Sequence, residues 1–202
     1  MGITLQQFDQ MKERVRGGAR RAASPLLETT VRNAAASGVI LGVDPSLRGT
    51  GFGVIRFGGP QPVALSHGTI VCPASWPHSR CLVRIAQALR DVLRAHRPTV
   101  CVVEGLFFAQ NLQTAIIMGE ARGAAMTVVA EAGLNIYEIA TRKVKQAIVG
   151  YGAAQKHAVA KMVQRLLNLP KPPEPDAADA LALALAHAQG QSRYSLSVPK
   201  RI

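Results

Sequence analysis

The spacing of apolar residues predicts a strand-rich first half of the chain and a helical second half. Short apolar runs that contain β-branched residues are typical of strands, because such side chains fit a buried pleated surface. Five segments have this character: 39–43, 51–57, 64–72, 99–103 and 135–139. The first three are joined by connections too short for a crossover helix, so we expect them to be antiparallel neighbours.

Longer segments repeat their apolar residues with the period of an α-helix. Helices are predicted at 79–96, 112–132, 141–148, 153–168 and 176–188. The first of these ends before Pro98, which cannot continue a helix. The resulting order, β-β-β-α-β-α-β followed by helices, predicts an α/β domain whose sheet carries helices on its faces.

The two ends of the chain differ from this regular centre. Residues 1–38 contain five arginines and paired glycines but little apolar surface to bury. We interpret residues 1–38 as a basic, mostly disordered arm that contacts DNA, steers a partner or has no role. Residues 39–190 are predicted to form one folded domain, and residues 191–202 a short basic tail.

Charge and cysteine content narrow the classes of function. The 202-residue chain has 24 Lys plus Arg against 12 Asp plus Glu, a net charge of +12. This charge favours a polyanionic partner, although a basic ribosome-associated protein would share it. Cys72, Cys81 and Cys101 form no CxxC pair and are odd in number, which argues against zinc or a disulfide framework and favours the cytoplasm. No segment has the length and apolar character of a membrane span, so we expect no membrane partner.

Four carboxylates occupy positions where chemistry is expected. Asp44 directly follows the first predicted strand and Glu104 the fourth. Open α/β sheets bind ligands at the carboxyl ends of their strands, so the two acids would converge if their strands are neighbours. Asp176 and Asp179 share one face of the last helix. Taken singly, each strand-end acid has an ordinary structural explanation, and Asp176 is also a good helix cap.

Several ionised carboxylates in one cleft repel one another, so some would be protonated unless divalent cations neutralise them. Mg²⁺ prefers carboxylate oxygens, and Mn²⁺ is a reasonable substitute. Two such ions can activate a water and stabilise the leaving oxygen of a phosphodiester. An acidic cluster within a basic protein is therefore consistent with acids that bind metal and with surrounding basic residues that hold a phosphate backbone.

Five motifs in this order, at 41–51, 103–111, 119–123, 144–150 and 176–182, resemble those of the RuvC-type Holliday-junction resolvases. The resemblance runs from about residue 40 to residue 187. It implies a ribonuclease H-like fold with a mixed five-stranded sheet and helices on both faces. It also implies a homodimer that nicks opposed strands of a four-way DNA junction, with two Mg²⁺ per site, in recombination and repair. Branch-migration proteins are further expected partners.

The resemblance assigns roles to individual residues. Asp44, Glu104, Asp176 and Asp179 are the implied catalytic acids and metal ligands. Phe107 is the implied aromatic that stacks on bases, and Lys145 and Lys156 are implied to hold DNA. A core position for Phe107 and a solvated surface position for either lysine are the structural alternatives.

Two local features bear on this resemblance. Ser46 stands where the family commonly has glycine, which is tolerated only if the φ angle at Ser46 is negative. Gly119 and Gly123 leave part of one helical face bare, where a second subunit could approach closely. Packing of that face against the sheet of the same chain is the alternative, and the spacing alone favours it.

Three alternatives to a resolvase stay open at this point. An actin-like ATP-binding fold also places an Asp before a Gly/Thr-rich turn, although it needs two such domains. A catalytically inactive junction-binding protein would use the aromatic and basic residues alone. A fold-related nuclease would act on other structured nucleic acids.

Overall fold

The computed structural model describes residues 37–105, 112–192 and 200–202, and its elements follow the predicted order. The strands are β1 (Gly38–Asp44), β2 (Gly49–Phe57), β3 (Val63–Val71), β4 (Val100–Glu104), β5 (Asn135–Ile139) and β6 (Lys200–Arg201). The helices are α1 (His78–His96), α2 (Leu112–Glu131), α3 (Thr141–Val149), α4 (Lys156–Leu166) and α5 (Pro175–Ser192).

The strands form one mixed sheet in the order β3-β2-β1-β4-β5-β6. The first three strands are antiparallel neighbours, as predicted. β4 lies parallel to β1 and to β5. The expected count of five strands is wrong by one, because Lys200 and Arg201 pair with Glu138 and Tyr137 of β5. Two basic residues show no alternation of apolar and polar positions, so this strand had no sequence signal.

Helices cover both faces of the sheet, which confirms the predicted architecture. Leu41 and Val43 of β1 point to the face covered by α1 and α2. Ile40, one residue away, points to the opposite face, where α3, α4 and α5 pack. This alternation is the expected consequence of the two-residue period of a strand. Each face therefore has its own apolar core.

Glycines allow α5 to lie directly on β1 and β2. A Cβ atom on Gly42 would stand 1.9 Å from the backbone oxygen of Ala180, and one on Gly51 would stand 2.0 Å from the backbone oxygen of Asp176. No side chain fits in either place, because real Cβ atoms do not approach other atoms so closely. The two glycines therefore determine how closely the start of α5 approaches the strand ends.

Some predicted features lie outside the described residues. These are Phe107 and nearly all of the basic arm predicted at residues 1–38. Within the described residues, no helix combines the length and apolar character needed to cross a membrane. Cys72, Cys81 and Cys101 are buried free thiols.

Candidate active site

Asp44 and Glu104 end two neighbouring strands at the same edge of the sheet. β1 and β4 are parallel, and Val43 lies opposite Val103 in their register. The next residue on each strand is an acid, so the condition for their convergence is confirmed. Their side chains are close enough to hydrogen-bond to each other.

Asp44 has a strongly altered acidity. Burial, followed by the charge and hydrogen bond of Glu104 and the charge of Asp179, raises the pKa of Asp44 to about 8, while Lys156 acts in the opposite direction. The protonated form of Asp44 is therefore favoured near neutral pH, which permits a hydrogen bond between the two carboxyl groups.

The start of α5 brings the second pair of acids to this edge. Burial raises the pKa of Asp179, the charge of Lys156 lowers it, and the charges of Glu104 and Asp176 raise it again. The Nζ atom of Lys156 lies 3.3 Å from Oδ2 of Asp179. The pKa of Lys156 is raised in turn, chiefly by Asp179 and more weakly by Asp44 and Asp176. All four predicted acids therefore belong to one local group of interacting charges, together with Lys156.

The structure does not support the capping explanation for Asp176. α5 begins at Pro175, so Asp176 lies in its first turn and Glu174 precedes the helix. A proline at the first helical position is a common helix start, and an acid in the first turn suits the helix dipole. Oδ2 of Asp176 lies 2.8 Å from where a Cβ of Gly49 would stand. The carboxylate of Asp176 is thus packed against the glycine that opens β2.

A small open cleft lies beside these acids. Its lining consists of Glu104, Thr141, Val144, Lys145, Val159, Asp179 and Leu183. Lys145 therefore lines the same cleft as two of the acids. Lys156 is exposed to solvent over most of its side chain, yet its ammonium contacts Asp179.

Two residues at this site had no predicted role. The hydroxyl of Thr141 donates a hydrogen bond to Oε1 of Glu104 at 2.5 Å. Its available signal was its position, since Thr141 follows the fifth strand by two residues and so lies at the same edge. The guanidinium group of Arg122 donates to the backbone oxygen of Glu104. Arg122 belongs to the 119–123 motif, but the sequence pattern does not predict that its side chain extends toward β4.

The four acids are a donor set whose chemistry fits a divalent cation better than its present geometry does. Among the described residues, no three His, Cys, Asp or Glu side chains stand ready to hold one ion. The chemistry of the donors nevertheless fits, because a hard cation relieves the repulsion by which neighbouring carboxylates raise the pKa values of the partly buried Asp44 and Asp179. Binding would require Asp44 to lose its proton and Asp179 to exchange its contact with Lys156.

Ser46 is accommodated in the turn that follows Asp44. Among the described residues, the non-glycine positions with positive φ are Arg97 and Asn168, so Ser46 does not need the freedom of glycine. The hydroxyl of Thr50 donates to the backbone oxygen of Ser46 at 2.5 Å and accepts from its backbone N–H. The turn therefore keeps its shape with serine in this place.

A mixed sheet covered by helices, with acids at two strand ends and on one helix, defines a protein of the ribonuclease H-like class. The family model of the crossover junction endodeoxyribonuclease RuvC matches residues 40–187. The chain belongs to this family, which decides against the actin-like alternative.

Individual relatives agree with this assignment. The crossover junction endodeoxyribonuclease RuvC of Rubrobacter xylanophilus is 43% identical over 138 residues, which is 68% of this chain and 77% of the relative. The Protochlamydia amoebophila protein of the same name is 47% identical over 138 residues, 68% of this chain and 82% of the relative. The chain spans most of the length of both relatives.

Solved structures show the same similarity. The structure of T. thermophilus RuvC in complex with a Holliday junction substrate has a TM-score of 0.73 at 33% identity, covering 82% of this chain and 99% of that one. The yeast mitochondrial Holliday junction resolvase Ydc2 has a TM-score of 0.56 at 10% identity, covering 76% of this chain and 78% of that one. The second likeness concerns the fold alone.

Proposed function

We propose that this protein is a structure-selective endonuclease that cuts four-way DNA junctions by metal-dependent hydrolysis of phosphodiester bonds. The observation that carries the proposal is the convergence of Asp44, Glu104 and Asp179 at one sheet edge of a chain in this family. The junction substrate in the complex of the similar T. thermophilus protein supports the choice of DNA structure.

Mg²⁺ is the proposed cofactor, with Asp44, Glu104, Asp176 and Asp179 as its ligands, two ions to a site. When bound, Mg²⁺ supplies a water of lowered pKa and stabilises charge on the leaving oxygen. Asp44 must then give up the proton that it shares with Glu104. Thr141 keeps the Glu104 carboxylate oriented through its hydroxyl, and Lys156 leaves Asp179 to meet the DNA backbone.

Basic residues beside the acids are proposed to hold the DNA. Lys145 lines the cleft together with Glu104 and Asp179, so a phosphate there would contact its ammonium group. The net charge of +12 favours the approach of DNA to a site that is itself acidic. Phe107, outside the described residues, is the proposed stacking aromatic at the junction centre.

A homodimer is the proposed assembly, and α2 carries the surface that supports it. Leu112 is 78% exposed and Ile116 54% exposed on this helix. Apart from the adjacent residues and the nearby backbone of α2 itself, no described atom lies within 4 Å of a Cβ placed on Gly119 or Gly123, so packing against the rest of the described chain does not explain these glycines. A two-fold dimer would present two sites to a two-fold junction and make paired cuts. Cytoplasmic recombination and repair, with branch-migration partners, is the proposed setting.

Cleavage of a synthetic four-way junction tests the proposed activity. The purified protein is incubated with the junction and with a linear duplex of the same sequence, in Mg²⁺ and in chelator. We expect paired nicks in the junction, intact linear duplex, and no cutting in chelator. Binding without cutting would instead identify a junction-binding protein, and equal cutting of both substrates would refute structure selectivity.

Variants of the strand-end acids test the assignment of the site. Asp44→Asn and Glu104→Gln are expected to cut at least about 100-fold more slowly, since loss of a metal ligand removes several kcal/mol of transition-state stabilisation. Junction binding and the circular dichroism spectrum are expected to persist. Asp91→Asn is the matched control, because Asp91 is an exposed acid of α1 that pairs with Arg94. Full activity in either site variant would remove that acid from the proposed site.

A further inference from the structure

We propose that Arg122 is a positioning residue that holds the end of β4, and through it Glu104, in place for cleavage. The inference rests on the proposed function, because it concerns the acid that we place among the metal ligands. It differs from that proposal in its subject, since Arg122 reaches Glu104 through the main chain and contacts no reacting group.

The guanidinium group of Arg122 joins three elements at one buried point. Arg122 lies on α2 and is only 7% exposed. Its Nη1 atom donates to the backbone oxygen of Glu104, at the end of β4. Its Nη2 atom donates to Oε2 of Glu138 on β5 at 2.5 Å. One planar group therefore sets the position of two neighbouring strand ends relative to α2.

The chemistry of arginine suits this task better than that of other basic residues. A guanidinium group presents its donors in a rigid fork, so two acceptors on different strands are fixed together. A lysine ammonium is a single point and cannot span both acceptors in the same way. Glu138 balances the buried charge, which would otherwise be costly. The arrangement is therefore specific for arginine and not only for positive charge.

Both the main chain and the side chain of Glu104 accept hydrogen bonds in this arrangement. Its carbonyl accepts from Arg122, while its carboxylate accepts from Thr141. Directly after it, the Gly105 N–H donates to the Ile139 oxygen at 2.9 Å and continues the pairing of β4 with β5. Displacement of the main chain at the end of β4 would carry the Glu104 carboxylate with it. The contact of Arg122 with the Glu104 carbonyl opposes that displacement.

Substitutions at Arg122, with a matched arginine as control, test the inference. Arg122→Gln is expected to cut junctions about 10- to 100-fold more slowly at saturating Mg²⁺, since displacement of a reacting group by about 1 Å can cost this much. Its junction affinity, measured in chelator, is expected to stay within about threefold, which is under 1 kcal/mol. Arg122→Lys is expected to lie between the two, because it keeps the charge without the fork.

Two further variants separate positioning from folding. Arg90→Gln removes an exposed ion pair between α1 and Glu131 of α2, and we expect wild-type cutting. Glu138→Gln removes the charge that balances Arg122 but leaves the Glu104 carbonyl contact, so we expect lower stability while the folded protein cuts within about threefold of wild type. The amide of Gly105 is expected to exchange with solvent faster in Arg122→Gln than in Arg90→Gln.

The outcomes distinguish this inference from the proposed function. If the wild type leaves junctions uncut, the proposed function fails, while exchange of the Gly105 amide still reports whether Arg122 holds the strand end. If the wild type cuts and a folded Arg122→Gln cuts equally well, the inference is wrong. Where Arg122→Gln does not fold, Arg122→Lys decides, because full cutting by that variant would overturn the need for the fork.

Discussion

The four acids of the site are positioned by two different physical devices. Asp44 and Glu104 are placed by hydrogen-bonded register, since their strands are parallel neighbours that end together. Asp176 and Asp179 are placed by the packing of α5 on the sheet, which depends on the missing side chains of Gly42 and Gly51. Strand pairing thus positions Asp44 and Glu104, whereas close packing of α5 on the sheet positions Asp176 and Asp179.

This difference determines where the site is vulnerable. A register is shared among many backbone hydrogen bonds, so a substitution at one strand end leaves the strand in place. Close packing depends on single positions, because one methyl group in the contact must displace the whole helix. Substitution of a glycine beneath α5 should therefore disturb the geometry of the site, whereas substitution of a single carboxylate should leave the fold intact.

Filling the space beneath α5 should have the largest effect on the protein. Gly42→Ala places a Cβ 1.9 Å from the backbone oxygen of Ala180. We expect it to lower the free energy of unfolding by about 3 kcal/mol, near the upper end of typical overpacking. Cutting by the folded fraction should fall about 100-fold, since α5 carries two of the acids. Denaturant unfolding and single-turnover cleavage provide the measurements.

Gly190→Ala is the control for this substitution, because Gly190 lies on α5 and, apart from the adjacent residues and the nearby backbone of that helix, no described atom is within 4 Å of its Cβ position. Replacement of an unobstructed helical glycine by alanine should raise stability by about 0.5–1 kcal/mol and leave cutting unchanged. An active, stable Gly42→Ala protein would show that α5 is not positioned by this contact.

The dependence of stability on pH should reveal the altered acidity of Asp44. The pKa of Asp44 is raised from 3.8 to about 8 in the folded protein. Between these values the unfolded chain loses the Asp44 proton and the folded chain keeps it. The contribution of Asp44 to stability is therefore greatest below pH 3.8 and falls as the pH rises toward 8. The urea midpoint of the metal-free protein should therefore fall as the pH rises over this range. In Asp44→Asn this fall should be smaller.

Histidine titration restricts the useful pH range of that experiment. Burial lowers the pKa of His187 from 6.5, so protonation of the unfolded chain reduces stability as the pH falls below that value. The comparison of wild type with Asp44→Asn is therefore made from pH 6.5 to 8. Identical slopes for the two proteins would show that Asp44 ionises normally and that its contact with Glu104 is weak.

The same difference explains which parts of the site could be predicted from sequence. The strand ends at Asp44 and Glu104 follow from apolar runs that stop at an acid, which is a local pattern. Their adjacency is a property of strand order, so the sequence predicted it only as a condition. The helical spacing of Asp176 and Asp179 is local too, but the direction in which α5 faces depends on glycines more than 120 positions earlier in the chain.

The sequence pattern did not predict the contacts formed by long polar side chains. Arg122 occurs among small and apolar residues of α2, and its two acceptors lie on β4 and β5. Lys156 was predicted to hold DNA, and the structure places its ammonium against Asp179. A long flexible side chain can reach many partners, and periodicity specifies only the face from which it starts. The role of Lys156 in DNA binding stays a prediction.

Removal of the Lys156 charge should have the smallest effect on stability. Lys156→Gln ends the ion pair with Asp179, but the lysine side chain is 71% exposed. We expect the free energy of unfolding to change by less than about 1 kcal/mol, and by less at high ionic strength. The affinity for a junction should depend less steeply on salt, with the slope of log K against log salt reduced by about 0.9 for one lost phosphate contact.

Lys161→Gln is the matched control for this last prediction, because Lys161 is an exposed lysine of the same helix and, among the described residues, forms no ion pair with the acids. Both variants lose one positive charge, so general attraction between protein and DNA decreases equally. A reduced salt slope in Lys156→Gln alone would mean that this lysine exchanges Asp179 for a phosphate when DNA binds. Equal slopes in the two variants would restrict Lys156 to its contact with the acids, since charge alone would then account for its effect on binding.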